Sequence, residues 1–398
     1  MSCPYAGTLA PEELSGIAGA PLAQPLEQAF PDVVNQRYSS IEAPEMVREI
    51  LRRAQEFTPA NALHAAVGLA PATLRILARG RFALPPVLAS ASGPEHLAVR
   101  RIVAGFFSPA KVQAQSGFIA RRTSELCEQL RERLANGEQL DLAVELAAPI
   151  PPEVMARMTN TPAPPTEQLK AWSRDSLELF WGWPDEQRQQ VLARSAVQYH
   201  AWLRGSVDQA LQRGDENLYT ALHRGGVDRA RIVSLAYFLG IAGQETTTML
   251  IQSALLSALH DGRWADCAAA ETGRDSSQEV VAQVLLNASS VPTWRRIAQE
   301  DAKVLGRRFS RGEELVLRLS GGQNAELGDD SLVFGFGLHR CLGAKLARME
   351  TEMVLHAAAA ALPDIELVYR APGWRHLVSF QTPDRVLVRS QPSGGNNS

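Results

Sequence analysis

Residues Val333–Glu350 read VFGFGLHRCLGAKLARME and set Cys341 between a glycine-broken segment, with Gly335 and Gly337, and the start of an amphipathic helix. The apolar residues of that helix, Leu342, Leu346, Met349 and Met353, recur every three to four positions. A thiol at a helix N-terminus meets free backbone N–H groups and the positive end of the helix dipole, which both favour a negative sulfur. Glycines at 335, 337 and 343 suit a loop that turns tightly and lets a flat, bulky ligand approach the backbone. The remaining cysteines, Cys3, Cys127 and Cys267, have no paired metal-ligand spacing with Cys341, which argues against zinc. No Gly-Lys-Ser/Thr follows at the offset a phosphate loop needs.

The run Phe334–Gly343, FGFGLHRCLG, resembles the haem-binding signature of the cytochrome P450 family. The match covers both aromatics, the first glycine pair, the His-x-Cys step and the following Leu-Gly. It implies haem b as cofactor and Cys341 as the proximal iron ligand. It also implies a mainly α fold with a small β subdomain, with residues 1–390 forming a single domain.

Composition is consistent with that class. Among 398 residues, 40 are basic and 43 acidic, a formal charge of −3 that gives no global case for nucleic-acid binding. A hydrophobic content of 45% argues against disorder, and the length allows a sizeable core. Four cysteines fit a reducing compartment better than a disulfide framework. The N-terminal run MSCPYAGTLAPEELSG carries neither a basic leader with an apolar run nor a membrane anchor, so a cytoplasmic protein is expected.

Working outward toward the N-terminus, a helix is predicted near Ala43 to Arg53, after a Pro- and Ala-rich lead-in. From Asn61 to Gly93 there is no stable periodicity, and the segment reads as a greasy cover. After Pro94 a helix carries His96 and Arg100 four apart on one face, where they are able to hold an acid pair by charge-assisted hydrogen bonds. This resembles the family's His-Leu-x-x-x-Arg segment, whose His and Arg contact haem propionates, and Phe106-Phe107-Ser108-Pro109 continues the match. Helices are predicted over roughly Lys111 to Asn136 and Asp141 to Met158, then a loop, then more helices from about Gln168 to Arg213. In the family that last region roofs the pocket, which implies Phe180, Trp181 and Trp183 as substrate contacts beside ordinary core packing.

Residues 229–260 form a proline-free run, apolar on most faces and interrupted by Gly240 and Gly243. Polar residues in the middle of a buried helix are expensive without partners and a purpose. Ala242–Thr247, AGQETT, resembles the family's oxygen-activation motif. The resemblance implies that the small pair opens a groove beside the iron, and that Glu245 and Thr246 support O–O cleavage by delivering protons on a water-poor face. Phe238 and Ala242 on the same run are implied substrate contacts.

One departure is clear. Glu279 to Val291 aligns by spacing with the family's Glu-x-x-Arg helix, yet Gln283 stands for the glutamate and Leu286 for the arginine. Asn324-Ala325-Glu326 stands where Asn-Arg-Asp is usual, and a short stretch without arginine then leads to Phe334. Stranding one partner of a buried pair costs roughly 3–5 kcal/mol, whereas losing all partners is nearly neutral. The coordinated loss therefore argues for a rebuilt proximal scaffold.

Pro292 to Ala298 resembles the family's propionate-binding strand, which implies Arg296 on a propionate and Trp294 at the substrate or haem edge, with His339 joining the anchoring set. A turn then strand is predicted at Gly312–Leu317, and strands around Pro372-Gly373 with Val378 to Gln381 as a tip reaching the pocket. The tail 391–398 has no reason to be ordered.

Taken over residues 40–390, the resemblance implies a monooxygenase of bacterial secondary-metabolite biosynthesis, monomeric and without a membrane anchor, oxidising a small or medium apolar molecule. Electrons are expected from a ferredoxin or flavodoxin-like donor, received by Arg101, Lys111, Arg121, Arg122 and Lys345 on the thiolate face. Two rivals remain open: a haem isomerase or dehydratase needing no external electrons, opposed by Glu245 and Thr246, and a non-catalytic activator of a partner enzyme, opposed by Cys341.

Overall fold

A computed structural model describes residues 25–321, 332–370 and 372–391. The lead-in before Pro25, the stretch Asn324 to Ser331 and the tail beyond Gln391 lie outside the described residues.

Strand β1 (Tyr38–Ile41) is followed by helix α1 (Pro44–Arg52), which opens on a proline and buries Val47, Ile50 and Leu51 as one stripe. After the short β2 (Phe57–Thr58) comes a helix that periodicity did not reveal, α2 (Pro71–Arg79). It buries only Thr73 and Leu77, so its apolar stripe is too thin to read. Helix α3 (Gly93–Ala104) begins at Gly93, whose φ of 82° suits glycine. The helix expected over 111–136 is divided: a short turn at Pro109–Gln113 precedes α4 (Ser116–Ala135). The one expected over 141–158 starts as a strand pair and a π-helical turn, then becomes α5 (Ile150–Thr159). Pro151 and Pro152 fall in the first turn of α5, where their missing N–H groups are not needed.

Helices α6 (Thr166–Trp181) and α7 (Glu186–Arg213) follow, and α7 is capped at its start by the Asp185 carboxylate and at its end by Gly214 with φ 69°. The apolar run is two helices, α8 (Arg229–Ala242) and α9 (Glu245–His260). Helix α10 (Gly273–Asn287) leads to β3 (Thr293–Ala298) and β4 (Glu314–Arg318). Helix α11 (Ala344–Ala361) follows the signature loop. The main sheet has the order β1-β4-β3-β2, parallel at β1-β4 and antiparallel elsewhere. Smaller pairings join Trp374–His376 to Gln381–Pro383, and Leu387–Ser390 to both Ile365–Leu367 and Leu140–Asp141. No helix among the described residues is long and apolar enough to cross a membrane.

Two large apolar cores result. One gathers α4, α5, α9, α10 and α11; the other gathers α3, α6, α7 and α8. The α8–α9 break lies at their junction. A Cβ at Gly243 would stand 2.6 Å from Met155 Cε and 2.7 Å from the Leu239 carbonyl, so no side chain fits there. Carbonyls at the break are satisfied by side chains: Gln244 Nε2 donates to Gly240 O at 2.9 Å and Thr246 Oγ1 to Ala242 O at 2.8 Å. Gly240 lies within α8, and the Tyr199 hydroxyl is 1.8 Å from where its Cβ would stand, so only glycine fits there.

Helices α6 and α9 are joined by Lys170. Its three ammonium donors meet three acceptors: Glu245 Oε2 at 2.9 Å, Thr248 Oγ1 at 2.7 Å and Gln244 Oε1. Glu350 of α11 is buried beside this network, and burial pushes its carboxyl up to about 8 against the pull of Lys170.

Two outcomes are expected. Gly240→Ala collides with Tyr199 and costs about 1–3 kcal/mol in denaturant unfolding. Adding Tyr199→Phe recovers part of that loss. The folded protein keeps a proton on Glu350 that the unfolded chain releases, so stability falls as pH rises from 4.5 to about 8. Glu350→Gln removes that slope, and its gain in Tm over the parent grows across this pH window.

Candidate functional site

A cavity of about 240 Å³ opens where the two cores meet. One wall is the signature loop and the start of α11, with Phe334, Cys341, Gly343 and Leu346. A second wall is the helix break, with Ala242, Gly243, Thr246 and Thr247. Leu88, Phe238, Val291, Trp294 and Phe380 supply an apolar lining, and Arg100, Arg296 and Arg340 a cationic one with His339 beside them.

Cys341 lines this hollow and is exposed. Its thiol is pushed up by burial, while the backbone N–H groups of Gly343 and Ala344 and the charges of Arg100 and Arg340 pull it back. The loop backbone is held by Cys341 N donating to Phe334 O at 2.9 Å. A thiolate here is favoured by a positive partner.

The cationic lining has a definite shape. His96 Nδ1 and His339 Nε2 both bond the Ala91 carbonyl, at 3.0 and 2.8 Å, and their rings lie 4.6 Å apart. Their other nitrogens, His96 Nε2 and His339 Nδ1, are buried without a partner among the described residues, as is Arg296 Nε. Burial lowers both imidazoles, Arg100 adding to this at His96 and Arg296 at His339, which falls to about 3. Burial likewise brings Arg296 down to about 10. Each imidazole donates its one N–H to the Ala91 carbonyl, so its free nitrogen becomes a donor only when the ring is protonated. An anionic group bound there would favour the protonated rings and give Arg296 Nε an acceptor. A flat macrocycle carrying two acid groups and a metal thus fits the residues present: its acids against His96, Arg100, Arg296 and His339, its metal at Cys341.

The sequence-predicted residues divide on inspection. The structure brings His96, Arg100, Arg296, His339 and Cys341 together, with Thr246, Phe238, Ala242 and Trp294 on the same cavity. Phe380 confirms that the tip 378–381 reaches it. Phe180 and Trp181 do not line it; they are buried behind it, where Phe180 packs on Phe82 and Tyr237, and Trp181 on Phe380. Trp183 packs against His376, away from the cavity. Glu245 is also not on the cavity wall, because its carboxylate is turned to Lys170. A helix sends adjacent side chains about 100° apart, so Glu245 and Thr246 cannot share one face.

Lys170 was missed by sequence reasoning. The available signal was its place with Ser173 and Leu177 on the buried stripe of α6, in a chain with four lysines. On the loop side, Gln283 is exposed and Leu286 buried, so α10 offers no ion pair at those positions.

No protein-family model matches the chain. Individual proteins do. It is 29% identical over 302 residues to cytochrome P450-SOY of Streptomyces griseus, covering 71% of this chain and 70% of that protein. It is 23% identical over 293 residues to the polyketide biosynthesis cytochrome P450 PksS of Bacillus subtilis, covering 69% and 70%. Among solved structures, cytochrome P450 CREJ in complex with (4-ethylphenyl) dihydrogen phosphate superposes with a TM-score of 0.78 at 25% identity, covering 89% of this chain and 92% of that one. Sequence relatives and structural neighbours agree with the thiol, the helix break and the acid-binding lining, and the chain belongs to the cytochrome P450 family of haem-b monooxygenases.

Proposed function

We propose that this oxidoreductase oxidises a small or medium apolar molecule in bacterial secondary-metabolite biosynthesis, with electrons from a ferredoxin-type partner. The observation that carries this reading is one cavity shared by Cys341, the Gly243–Thr246 helix break and the apolar side chains of Leu88, Phe238, Val291, Trp294 and Phe380. Haem b, when bound, supplies the redox chemistry of oxygen activation. Cys341 is the proposed iron ligand, and His96, Arg100, Arg296 and His339 the proposed propionate anchors.

The chain's own contributions follow from its geometry. Thr246 holds its hydroxyl at the cavity by donating to Ala242 O, leaving its oxygen lone pairs to accept from a water and its proton exchangeable. Glu245 is adjacent in sequence but committed to Lys170, so a proton from it reaches the cavity only when that pair opens. Phe238, Ala242, Trp294 and Phe380 orient an apolar substrate and exclude water. Arg101, Lys111, Arg121 and Lys345 are exposed and suit an acidic electron donor, whereas Arg122 is engaged by Glu153 at 3.0 Å. The proposed protein acts as a monomer in the cytoplasm.

The reduced protein with carbon monoxide is expected to absorb at about 450 nm, the mark of thiolate ligation. Cys341→Ala loses that band and all turnover; a variant with unchanged kinetics would overturn the assignment. Thr246→Ala keeps the band but loses about tenfold or more of product formation per electron consumed, with Thr246→Ser retaining most of it. Turnover of substrate without any reductant would instead identify an isomerase or dehydratase.

A further inference from the structure

Gln283 and Leu286 of α10 offer the thiolate loop of this chain no ion pair, so its hold comes from packing. Its two phenylalanines anchor it in two different cores. Phe334 packs into the helical core around α4, α10 and α11, while Phe336 packs into a separate core formed by α1 and the main sheet. Each ring carries an arginine over its face. The Arg348 guanidinium of α11 lies 5.3 Å from the Phe334 centroid, and the Arg48 guanidinium of α1 lies 5.8 Å from that of Phe336. Both distances are within reach of a cation–π attraction.

Helix α1 is a firm support. At its start Glu42 takes the buried Arg318 of β4 at 3.0 Å and the Leu26 amide at 2.9 Å. Just past its end Arg53 donates to the Lys303 carbonyl at 2.9 Å. The loop touches it directly: at Gly337, φ 66°, a Cβ would stand 3.3 Å from the Leu51 carbonyl, so the loop backbone lies against the last turn of α1.

We propose that Arg48 and Arg348 are positioning residues that clamp the thiolate loop through Phe336 and Phe334, and that α1 takes over the support an α10 ion pair would otherwise give. The inference rests on the reading of Cys341 as iron ligand. Neither arginine needs to touch the haem; each fixes a ring on one side of the turn that carries Cys341. A guanidinium is suited to this because its flat, weakly hydrated face stacks on an aromatic ring with little desolvation cost.

The test measures haem transfer from the holoprotein to apomyoglobin, together with the fraction of the carbon monoxide complex absorbing at about 450 rather than about 420 nm. Arg48→Met and Arg348→Met each keep side-chain length and remove the cation. Each is expected to speed haem loss about three- to tenfold and to lower the 450 nm fraction. Arg48→Lys restores part of both. Phe336→Leu reproduces the Arg48→Met effect, and the double variant is no worse than Phe336→Leu alone. Arg52→Met, at an exposed position paired with Glu49, serves as the control and leaves both readouts at the parent level. Arg48→Met and Arg348→Met behaving like this control, or the double variant adding the two single effects in full, would overturn the clamp. A parent protein without the 450 nm band overturns the thiolate reading instead, and the haem-loss comparison still decides the clamp.

Discussion

A buried hollow lined by unpartnered nitrogen atoms is the constraint on which the rest of the structure depends. His96, His339 and Arg296 each leave a nitrogen without a partner in a space walled by two apolar cores. Such a lining opposes folding until a bound group meets it, because each unmet polar atom forfeits its water without compensation. Elements of both cores are spent on holding it open. Helix α3 brings His96 and Arg100, strand β3 brings Arg296, and the signature loop brings His339 next to the thiol.

The opposite wall is governed by the same economy of backbone groups. A continuous helix from Arg229 to His260 would close the hollow. The interruption at Gly243 and Gln244 opens it, and the side chains of Gln244 and Thr246 repair the carbonyls exposed by the break. The residues that make the break stable are therefore the ones that bring a hydroxyl to the cavity and a carboxylate to Lys170. Stability and chemistry share the Gln-Glu-Thr run, and this explains how polar residues are tolerated at the centre of an apolar segment.

On the thiol side, the loss of the Glu-x-x-Arg pair leaves the loop dependent on packing into two cores at once. Coupling through Phe334 and Phe336 ties the position of Cys341 to both the helical bundle and the sheet. Aromatic anchors in separate cores constrain a loop's translation and its rotation, which a single ion pair constrains less completely.

By itself the sequence determined what depends on local spacing. Phe334–Gly343 and Ala242–Thr247 announced the family, and the four-residue step from His96 to Arg100 placed both on one helix face. The starts of α1 and α3 followed from proline, glycine and the apolar stripe. Only the tertiary structure decided what depends on direction and on distant partners. Phe180 and Trp181 lie behind the cavity because α6 turns them into the core with Phe82 and Tyr237. Glu245 faces Lys170, 75 residues away in sequence, and not the hollow beside Thr246. The role of α1 under the signature loop joins segments nearly three hundred residues apart. Periodicity reports which face of an element is apolar, and it carries no information about which distant residue completes that face.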